Sequence, residues 1–267
     1  MLEMAAKTAK NSNGTPALRI AALEAERALL KKQLREARQS NRTAKMDTEF
    51  ALELERRRSQ ELEEAYYDTV LRLTRASAYK DRETGAHIQR VSHYAKILAR
   101  QLRWSDDDQE LIFRAAPMHD VGKIAIPDDL IRKRGSLDGG DRQLMESHTL
   151  IGASLLEGSS SRLLDMAREI ALTHHEHWDG TGYPHRLIGE QIPISGRIVM
   201  LSDHYDALRS RRSYKRSIDH EATCRIILEG DGRTSPGHFD PRLLEIFGVV
   251  HAEFDLVFEQ YKDASQR

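Results

Sequence analysis

Carboxylates and imidazoles interrupt several apolar stretches of this sequence. His119 and Asp120 lie within RAAPMHDVGKIAIP, Asp203 follows the apolar residues 198–201, and His148 lies in LMESHTLIGASLL. A carboxylate that is buried in its ionised form without a partner is very unstable, so each acid needs a proton or a cation. A salt bridge would be enough for one such acid alone. Several acids accompanied by histidines favour bound metal ions instead.

Two further pairs contain the same residue types. Glu83 and His87 are four residues apart, so both side chains leave one face of a helix. The segment IALTHH ends in two adjacent histidines. The complete candidate ligand set, which contains no sulfur, is Glu83, His87, His119, Asp120, His148, His174, His175 and Asp203. Eight ligands are too many for one ion, and mixed nitrogen and oxygen ligands suit two or three ions of iron or manganese, with zinc or others as alternatives.

Closely spaced divalent ions are suited to phosphoryl transfer. Two ions about 3.5–4 Å apart can hold both the attacking and the leaving oxygen of an in-line displacement. Hydrolysis of a phosphate ester is therefore the reaction that best suits this ligand set. Lys123 is four residues after His119 and would face the same way if the helix continues. It could neutralise charge on a phosphate oxygen, and the alternative is a solvated lysine at a helix end.

The composition limits the other functional classes. The chain has 267 residues, of which 39% are hydrophobic, enough for one sizeable core and an appendage. Its net charge of −1 gives no basic field for nucleic acid. No apolar run approaches the roughly 18–20 residues of a membrane span, and nothing at the start resembles a secretory signal. The single cysteine, Cys224, excludes a disulfide framework and is expected as a buried thiol in a reducing cytoplasm.

Helical periodicity predicts an all-α fold. No alternating run is long enough for a sheet, whereas apolar residues recur at helical spacing in almost every segment after residue 81. Ser105 is a candidate N-cap because three acids follow it. Helices are expected at about 84–103, from 105, and at 138–156, 160–176, 195–209, 217–229 and 240–264.

A charged helical arm is expected ahead of the domain. Residues 1–15 are small and polar and are predicted to be disordered, and the arm covers 16–64. Its seam positions follow alternating three- and four-residue steps and are Ile20, Leu23, Arg27, Leu30, Leu34 and Ala37. This imperfect heptad pattern favours a coiled-coil homodimer, and the alternative is a solvated helix without a partner. Residues 39–47 weaken the pattern, and a second helical run is expected from about Met46 to Lys80.

Three motifs carry a resemblance to a known family. They are HDVGK (119–123), HHEHWDGTGYP (174–184) and SDHYDALRSRRSYK (202–215), and GHFDP (237–241) supports them. The sequence resembles the HD-GYP family, a branch of the HD metal-dependent phosphohydrolases, over roughly 65–262. The resemblance implies a helical HD-type catalytic domain over 65–267.

The resemblance also implies an activity and a set of residue roles. HD-GYP proteins hydrolyse the bacterial second messenger cyclic di-GMP to pGpG and often on to GMP. The eight candidate ligands match the metal ligands of the family, with Glu83 and His87 suited to a third ion. Asp120 and Lys123 match catalytic positions of the family, and Lys123 matches the lysine at the scissile phosphate. Arg212 and Lys215 match a basic pair that contacts the phosphate and guanine regions of the substrate. Ser213 stands where the family usually has proline, which could loosen this turn.

The loop in HHEHWDGTGYP has its own expected role. Gly180, Gly182 and Pro184 shape it, because glycine permits close backbone approaches. Tyr183 and Gly182 are then placed near the bound nucleotide, or near a signalling protein partner, while Trp178 and Asp179 hold the loop to the core.

The remaining charged and aromatic residues have less specific expectations. Arg90 is expected to pair with a ligand carboxylate. His204 points about 100° away from Asp203 around its helix and is not expected to be a ligand. Five histidines are expected at the surface, namely His93, His177, His185, His220 and His251.

Two alternative functions remain open at this point. One is an HD phosphohydrolase that acts on another nucleotide, although such an enzyme would need neither the GYP loop nor RRSYK. The other is a sensor that binds cyclic di-GMP or a protein without turnover. A sensor would have lost metal ligands, and all eight are present here. Residues 1–64 show no strand–helix alternation of an input domain, so the input is either a partner of the arm or lies on a longer chain.

Overall fold

The computed structural model describes residues 15–78, 80, 85–133, 135–210 and 218–262. These residues fall into two compact units that divide between Tyr66 and Tyr67. Residues 1–14 lie outside the described residues, so the prediction that 1–15 are disordered concerns, apart from Thr15, a segment that the structure does not describe.

The first unit consists of most of one long helix, α1 (Pro16–Ala78). The expectation of two separate helical runs was wrong, because the polar segment 39–47 continues the helix. This stretch contains neither proline nor glycine. Within it, Thr43 donates its hydroxyl to the carbonyl of Gln39 at 3.1 Å, so its polar group is satisfied inside the helix.

The second unit is built from helices, and the described residues contain no strand, which confirms the all-α class. No described helix is both long enough and apolar enough to cross a membrane. The α-helices of this unit, after the end of α1, are α2 (Gly85–Gln101), α3 (Asp106–Ala115), α4 (Asp128–Ile131), α5 (Gly139–Glu146), α6 (His148–Leu156), α7 (Arg162–Thr173), α8 (Ile194–Arg209), α9 (His220–Glu229) and α10 (Pro241–Gln260). Short 3₁₀ helices cover Ala116–Ala125, Gly189–Gln191 and Pro236–His238.

Side-chain caps define where several of these helices begin. Ser105 is the N-cap of α3, as predicted, and its hydroxyl accepts from the amide of Asp108 at 3.1 Å. Asp138, Asp219 and Asp240 cap α5, α9 and α10 in the same way. Each such cap contributes about 1 kcal/mol.

One predicted helix is divided in the structure. The run expected over 138–156 breaks at Ser147 into α5 and α6. The Ser147 hydroxyl donates to the carbonyl of Leu144 at 2.6 Å, which offers the backbone an alternative to regular helical bonding. The break makes His148 the first residue of α6.

Aromatic packing holds the helices that carry the site. The rings of Tyr94 in α2 and Phe254 in α10 are stacked with centroids 4.4 Å apart. Tyr205 in α8 contacts both rings edge-on, with centroids 5.2 Å from each. All three side chains are fully buried. This cluster fixes α2 and α8, which carry His87 and Asp203, against α10.

The segment that carries His119 and Asp120 is a 3₁₀ helix. Gly122 explains how closely it packs, because a Cβ there would lie 1.9 Å from the carbonyl oxygen of His148. Its C-terminal end is held by Lys80, whose ammonium donates to the carbonyls of Ile124 and Ile126 at 2.8 Å each. This packing places the HD dipeptide directly against the start of α6.

Candidate metal centre

The described ligand candidates form two clusters. Within each cluster, one ligand atom from every residue lies within 4.8 Å of all the others. The first cluster is His87, His119 and Asp203, and the second is Asp120, His148, His174 and His175. The structure thus brings together seven of the eight predicted ligands. Glu83 lies outside the described residues.

Asp120 belongs to the second cluster and also faces the first. Its Oδ1 lies 3.1 Å from Nε2 of His148 and 3.6 Å from Nε2 of His174. Its Oδ2 lies 3.3 Å from Nε2 of His119, which belongs to the other cluster. A carboxylate whose two oxygens face different groups of ligands could serve both groups if each held an ion.

Three histidines are held by backbone carbonyls so that Nε2 faces the clusters. Their Nδ1 atoms lie 2.9 Å (His119), 2.7 Å (His148) and 3.0 Å (His174) from the carbonyl oxygens of Ala116, Met145 and Ile170. A carbonyl oxygen only accepts, so Nδ1 carries the proton and Nε2 keeps its lone pair. This is the arrangement that metal-binding imidazoles commonly use. The chemistry of the donor set therefore fits divalent ions.

His87 is held by a carboxylate that the sequence reasoning missed. Its Nδ1 lies 2.8 Å from Oδ2 of Asp206, and its Nε2 lies 3.7 Å from Oδ1 of Asp203. Asp206 also accepts from Nε and Nη2 of Arg90 at 2.6 and 2.8 Å. Arg90 was expected to pair with a ligand carboxylate, and it pairs instead with Asp206, the carboxylate that holds the candidate ligand His87. The available signal was a second acid three residues after Asp203 in an apolar helix.

The electrostatics of the site keep its groups in metal-binding form. Burial, together with the nearby His174 and His148, holds the pKa of His175 well below its usual value. Burial alone would raise the pKa of Asp120, but Lys123 and His119 outweigh it and hold this pKa well below the ordinary range. Metal ligands must be neutral imidazoles and ionised carboxylates, so both directions favour binding.

Lys123 lies beside Asp120, which precedes it by three residues. Its Nζ lies 2.6 Å from Oδ2 of Asp120. The reason is the 3₁₀ geometry, in which residues three apart align, whereas residues four apart align in an α-helix. The lysine therefore lies beside the carboxylate that adjoins both clusters.

The loop after His175 folds back over the second cluster. The ring of Tyr183 stacks on that of His175, with centroids 4.7 Å apart. The buried carboxylate of Glu176, a residue that the sequence reasoning did not single out, accepts from the amides of His185 at 2.7 Å and Leu187 at 3.0 Å. Asp179 accepts from the amide and the hydroxyl of Thr181, a contact within the loop itself.

We expect Gly182→Ala to destabilise this loop. A Cβ at Gly182 would lie 2.2 Å from the amide nitrogen of His177 and 2.5 Å from the carbonyl oxygen of His175. Both neighbours are backbone atoms that cannot turn away, so we expect a loss of about 1–3 kcal/mol in the free energy of unfolding. Denaturant unfolding measures it. Gly248→Ala is the matched control, because nothing lies within 4 Å of a Cβ there; equal losses in the two variants would contradict the explanation.

The remaining expectations have mixed outcomes. Arg212, Ser213 and Lys215 lie outside the described residues. His204 is not a member of either cluster, as predicted, and its Nε2 lies 2.9 Å from the hydroxyl of Thr234. His185 is exposed, as expected.

Four of the five histidines expected at the surface are instead partly buried. His93 stacks on Tyr261, and His177 stacks on His238 with centroids 4.1 Å apart. Burial and the neighbouring His238 lower the pKa of His177 to about 4. His220 and His251 contact each other between two helices. Ring contacts between distant segments cannot be deduced from local periodicity.

Several known proteins are similar to this chain. A "3'3'-cGAMP-specific phosphodiesterase 2" of Vibrio cholerae is 43% identical over 186 residues, which are 70% of this chain and 35% of that protein. A "Cyclic di-GMP phosphodiesterase" of the same organism is 43% identical over 210 residues, 73% of this chain and 42% of that protein. The "Cyclic di-GMP phosphodiesterase response regulator RpfG" of Xanthomonas campestris is 40% identical over 220 residues, 81% of this chain and 57% of that protein. The chain thus spans between about a third and three fifths of the length of these relatives.

A solved structure and a family model agree with these similarities. A cyclic GMP-AMP specific phosphodiesterase of V. cholerae has a TM-score of 0.52 at 19% identity, over 74% of this chain and 51% of that one, and therefore shares the fold. The HD domain family model matches residues 71–243. That match covers more than half of the chain and includes every residue of both clusters, so this protein belongs to the HD domain family, and the predicted HD-GYP membership is confirmed.

Proposed function

We propose that this chain is a metal-dependent phosphodiesterase that hydrolyses cyclic di-GMP to pGpG, GMP or both in bacterial signalling. The observation that carries the proposal is the carboxylate of Asp120, which adjoins two clusters of nitrogen and oxygen ligands. Relatives with 38–43% identity that are named as cyclic di-GMP phosphodiesterases support the substrate.

The ligand set suits two ions of iron, manganese or both. One ion would be held by His87, His119 and Asp203. The other would be held by His148, His174 and His175, and Asp120 would lie between the two ions. A third ion would involve Glu83, which precedes His87 by four residues. When bound, such ions polarise a phosphate oxygen and activate water for attack on phosphorus.

The protein's own side chains would position the substrate. Lys123, beside Asp120, would place its ammonium near the scissile phosphate and stabilise charge there. Tyr183 and Gly182 would line the nucleotide side of the second cluster, and Arg212 and Lys215 would contact the phosphate and guanine regions. A reducing cytoplasm suits both this substrate and a chain with one cysteine.

A second candidate substrate is 3′3′-cGAMP. It is favoured by the relative that is named as specific for this dinucleotide and is 43% identical to the chain. The two substrates differ in one base, so the same metal chemistry would serve both, and contacts to the base would decide between them.

Product analysis with both dinucleotides under anaerobic iron and manganese loading tests this proposal. We expect turnover of cyclic di-GMP that requires added metal and stops on chelation. Preferred turnover of 3′3′-cGAMP would assign the second substrate. Absence of hydrolysis of both by protein that carries at least two metal equivalents would contradict an enzymatic function and favour a sensor.

We also propose that residues 16–64 form a dimerisation arm ahead of a catalytic domain over 65–267. The apolar seam supports it, because Leu23 and Leu30 are 64% and 58% exposed on a helix that is rich in charged residues. A parallel partner helix would bury them, at about 1.5–3 kcal/mol for each leucine.

Light scattering of a Leu23→Lys/Leu30→Lys double variant tests the arm. We expect the wild type to be a dimer and the double variant a monomer, because two charges would enter the seam. Leu62→Lys is the control, since Leu62 is 72% exposed on the same helix and lies outside the heptad run. A monomeric wild type would exclude the dimer.

A further inference from the structure

A third cluster of metal-ligating residues lies outside the candidate metal centre. It consists of His220 and Cys224 on α9 and His251 on α10, with one ligand atom from each within 4.8 Å of the others. Nε2 of His220 lies 2.9 Å from Nδ1 of His251. The sulfur of Cys224 lies 3.7 Å from both ring nitrogens of His220. None of these residues takes part in the phosphodiesterase chemistry proposed above.

The cluster arises from residues four apart on neighbouring helices. His220 and Cys224 share one face of α9, and His251 and Asp255 share one face of α10. Oδ1 of Asp255 lies 3.8 Å from Nδ1 of His220. The two helices therefore direct a nitrogen, a sulfur, a second nitrogen and a carboxylate toward one region.

Two of the three separations between ligand atoms are close to those of a tetrahedral zinc site, and the third, between Cys224 and His251, is within 4.8 Å. Zinc–sulfur and zinc–nitrogen bonds of about 2.3 and 2.0–2.1 Å imply a sulfur–nitrogen separation of about 3.5 Å and a nitrogen–nitrogen separation of about 3.3 Å. The observed sulfur–nitrogen distance is 3.7 Å. The nitrogen–nitrogen distance of 2.9 Å is a hydrogen bond between the two rings, which an ion would replace after a shift of a few tenths of an ångström.

The ring of His220 is oriented by a residue of a third helix. Its Nδ1 lies 2.8 Å from the hydroxyl of Tyr205 on α8, which leaves Nε2 facing His251. Outer partners of this kind fix the orientation of metal-binding imidazoles. The Cys224 side chain is buried, while both histidines are only partly buried. An ion could therefore reach the site from solvent.

We propose that His220, Cys224 and His251 bind one zinc ion at a site distinct from the candidate metal centre. Thiolate and imidazole ligands favour zinc, whereas the nitrogen and oxygen clusters favour iron or manganese. The thiol loses its proton to solvent when the ion binds, and a water molecule completes the fourth position, because Oδ1 of Asp255 is already paired with Arg209. The ion would link α9 to α10, and the expectation that Cys224 is only a buried thiol would then be incomplete.

Cobalt titration of the full chain tests this site without any activity measurement. The chain contains one cysteine, so a thiolate-to-cobalt charge-transfer absorption can come only from Cys224. We expect this absorption to rise to saturation as cobalt is added, to disappear when excess zinc is added, and to be lost in Cys224→Ser.

Two further variants make the result independent of the folding of Cys224→Ser. His251→Ala keeps the thiol and removes one proposed ligand. Loss of a residue that merely orients a ligand weakens metal binding by about tenfold or more, so we expect cobalt affinity at this site to fall by at least about tenfold. His174→Ala alters the candidate metal centre, and we expect it to leave the absorption unchanged. Absence of the absorption in the wild type, or an unchanged affinity in His251→Ala, would overturn the zinc site.

Discussion

Replacing Asp120 by alanine is expected to abolish the proposed phosphodiesterase activity while the protein stays folded. The substitution removes both oxygens that face the two clusters and the acceptor of Lys123. Metal ions supply several kcal/mol of transition-state stabilisation, and each 1.36 kcal/mol corresponds to tenfold in rate, so we expect kcat to fall by about 1,000-fold or more. Hydrolysis of cyclic di-GMP and bound metal per chain are the two measurements.

The control for this variant is Asp107→Asn. Asp107 is an exposed acid in the first turn of α3, and its substitution should leave metal content and turnover unchanged. Circular dichroism of both variants verifies the helical fold. Unchanged hydrolysis in a folded Asp120→Ala protein would refute the metal role of this carboxylate.

Replacing Asp206 by asparagine is expected to cause the largest loss of stability. The side chains of Asp206 and Arg90 are 0% and 1% exposed. The asparagine removes the negative charge and turns one acceptor oxygen into a donor that faces Arg90 and His87. An uncompensated buried charge costs about 3–5 kcal/mol, which we expect as the loss in the free energy of unfolding. Denaturant unfolding at neutral pH measures it, with Asp107→Asn again as the control.

The pH dependence of stability gives an independent measurement for Asp206. Although burial opposes it, hydrogen bonds from Arg90 and His87 hold the pKa of this carboxyl well below its ordinary value. Because the pKa of Asp206 is lowered in the folded state, its ionised carboxylate stabilises the fold fully above the unfolded pKa of about 3.9. This stabilisation is lost as the pH falls toward the folded pKa. We therefore expect wild-type stability to fall more steeply below about pH 4 than that of Asp206→Asn. Parallel curves would contradict this assignment.

Asp206→Asn should also weaken metal binding, because His87 loses the partner that orients its ring. Loss of an outer partner typically costs about 10–100-fold in metal affinity. A folded variant with unchanged affinity at both clusters would show that the carboxylate acts on stability alone.

The all-α class, the cap at Ser105 and the types of the candidate metal ligands followed from the sequence itself. Helical periodicity depends on residues three and four apart, and the need for cations follows from acids within apolar stretches, so both are local properties. The HD and GYP motifs carried the family for the same reason, because each is one short continuous segment.

Contacts between helices depended on the tertiary structure. The link between His87 and Asp206, the position of Asp120 between two clusters and the meeting of Cys224 with two histidines all join segments far apart in the chain. Such contacts depend on how helices pack and rotate, which local spacing does not specify. The 3₁₀ helix that turns Lys123 toward Asp120 belongs here as well, since its close packing on α6 follows from the missing Cβ of Gly122 at the backbone of His148.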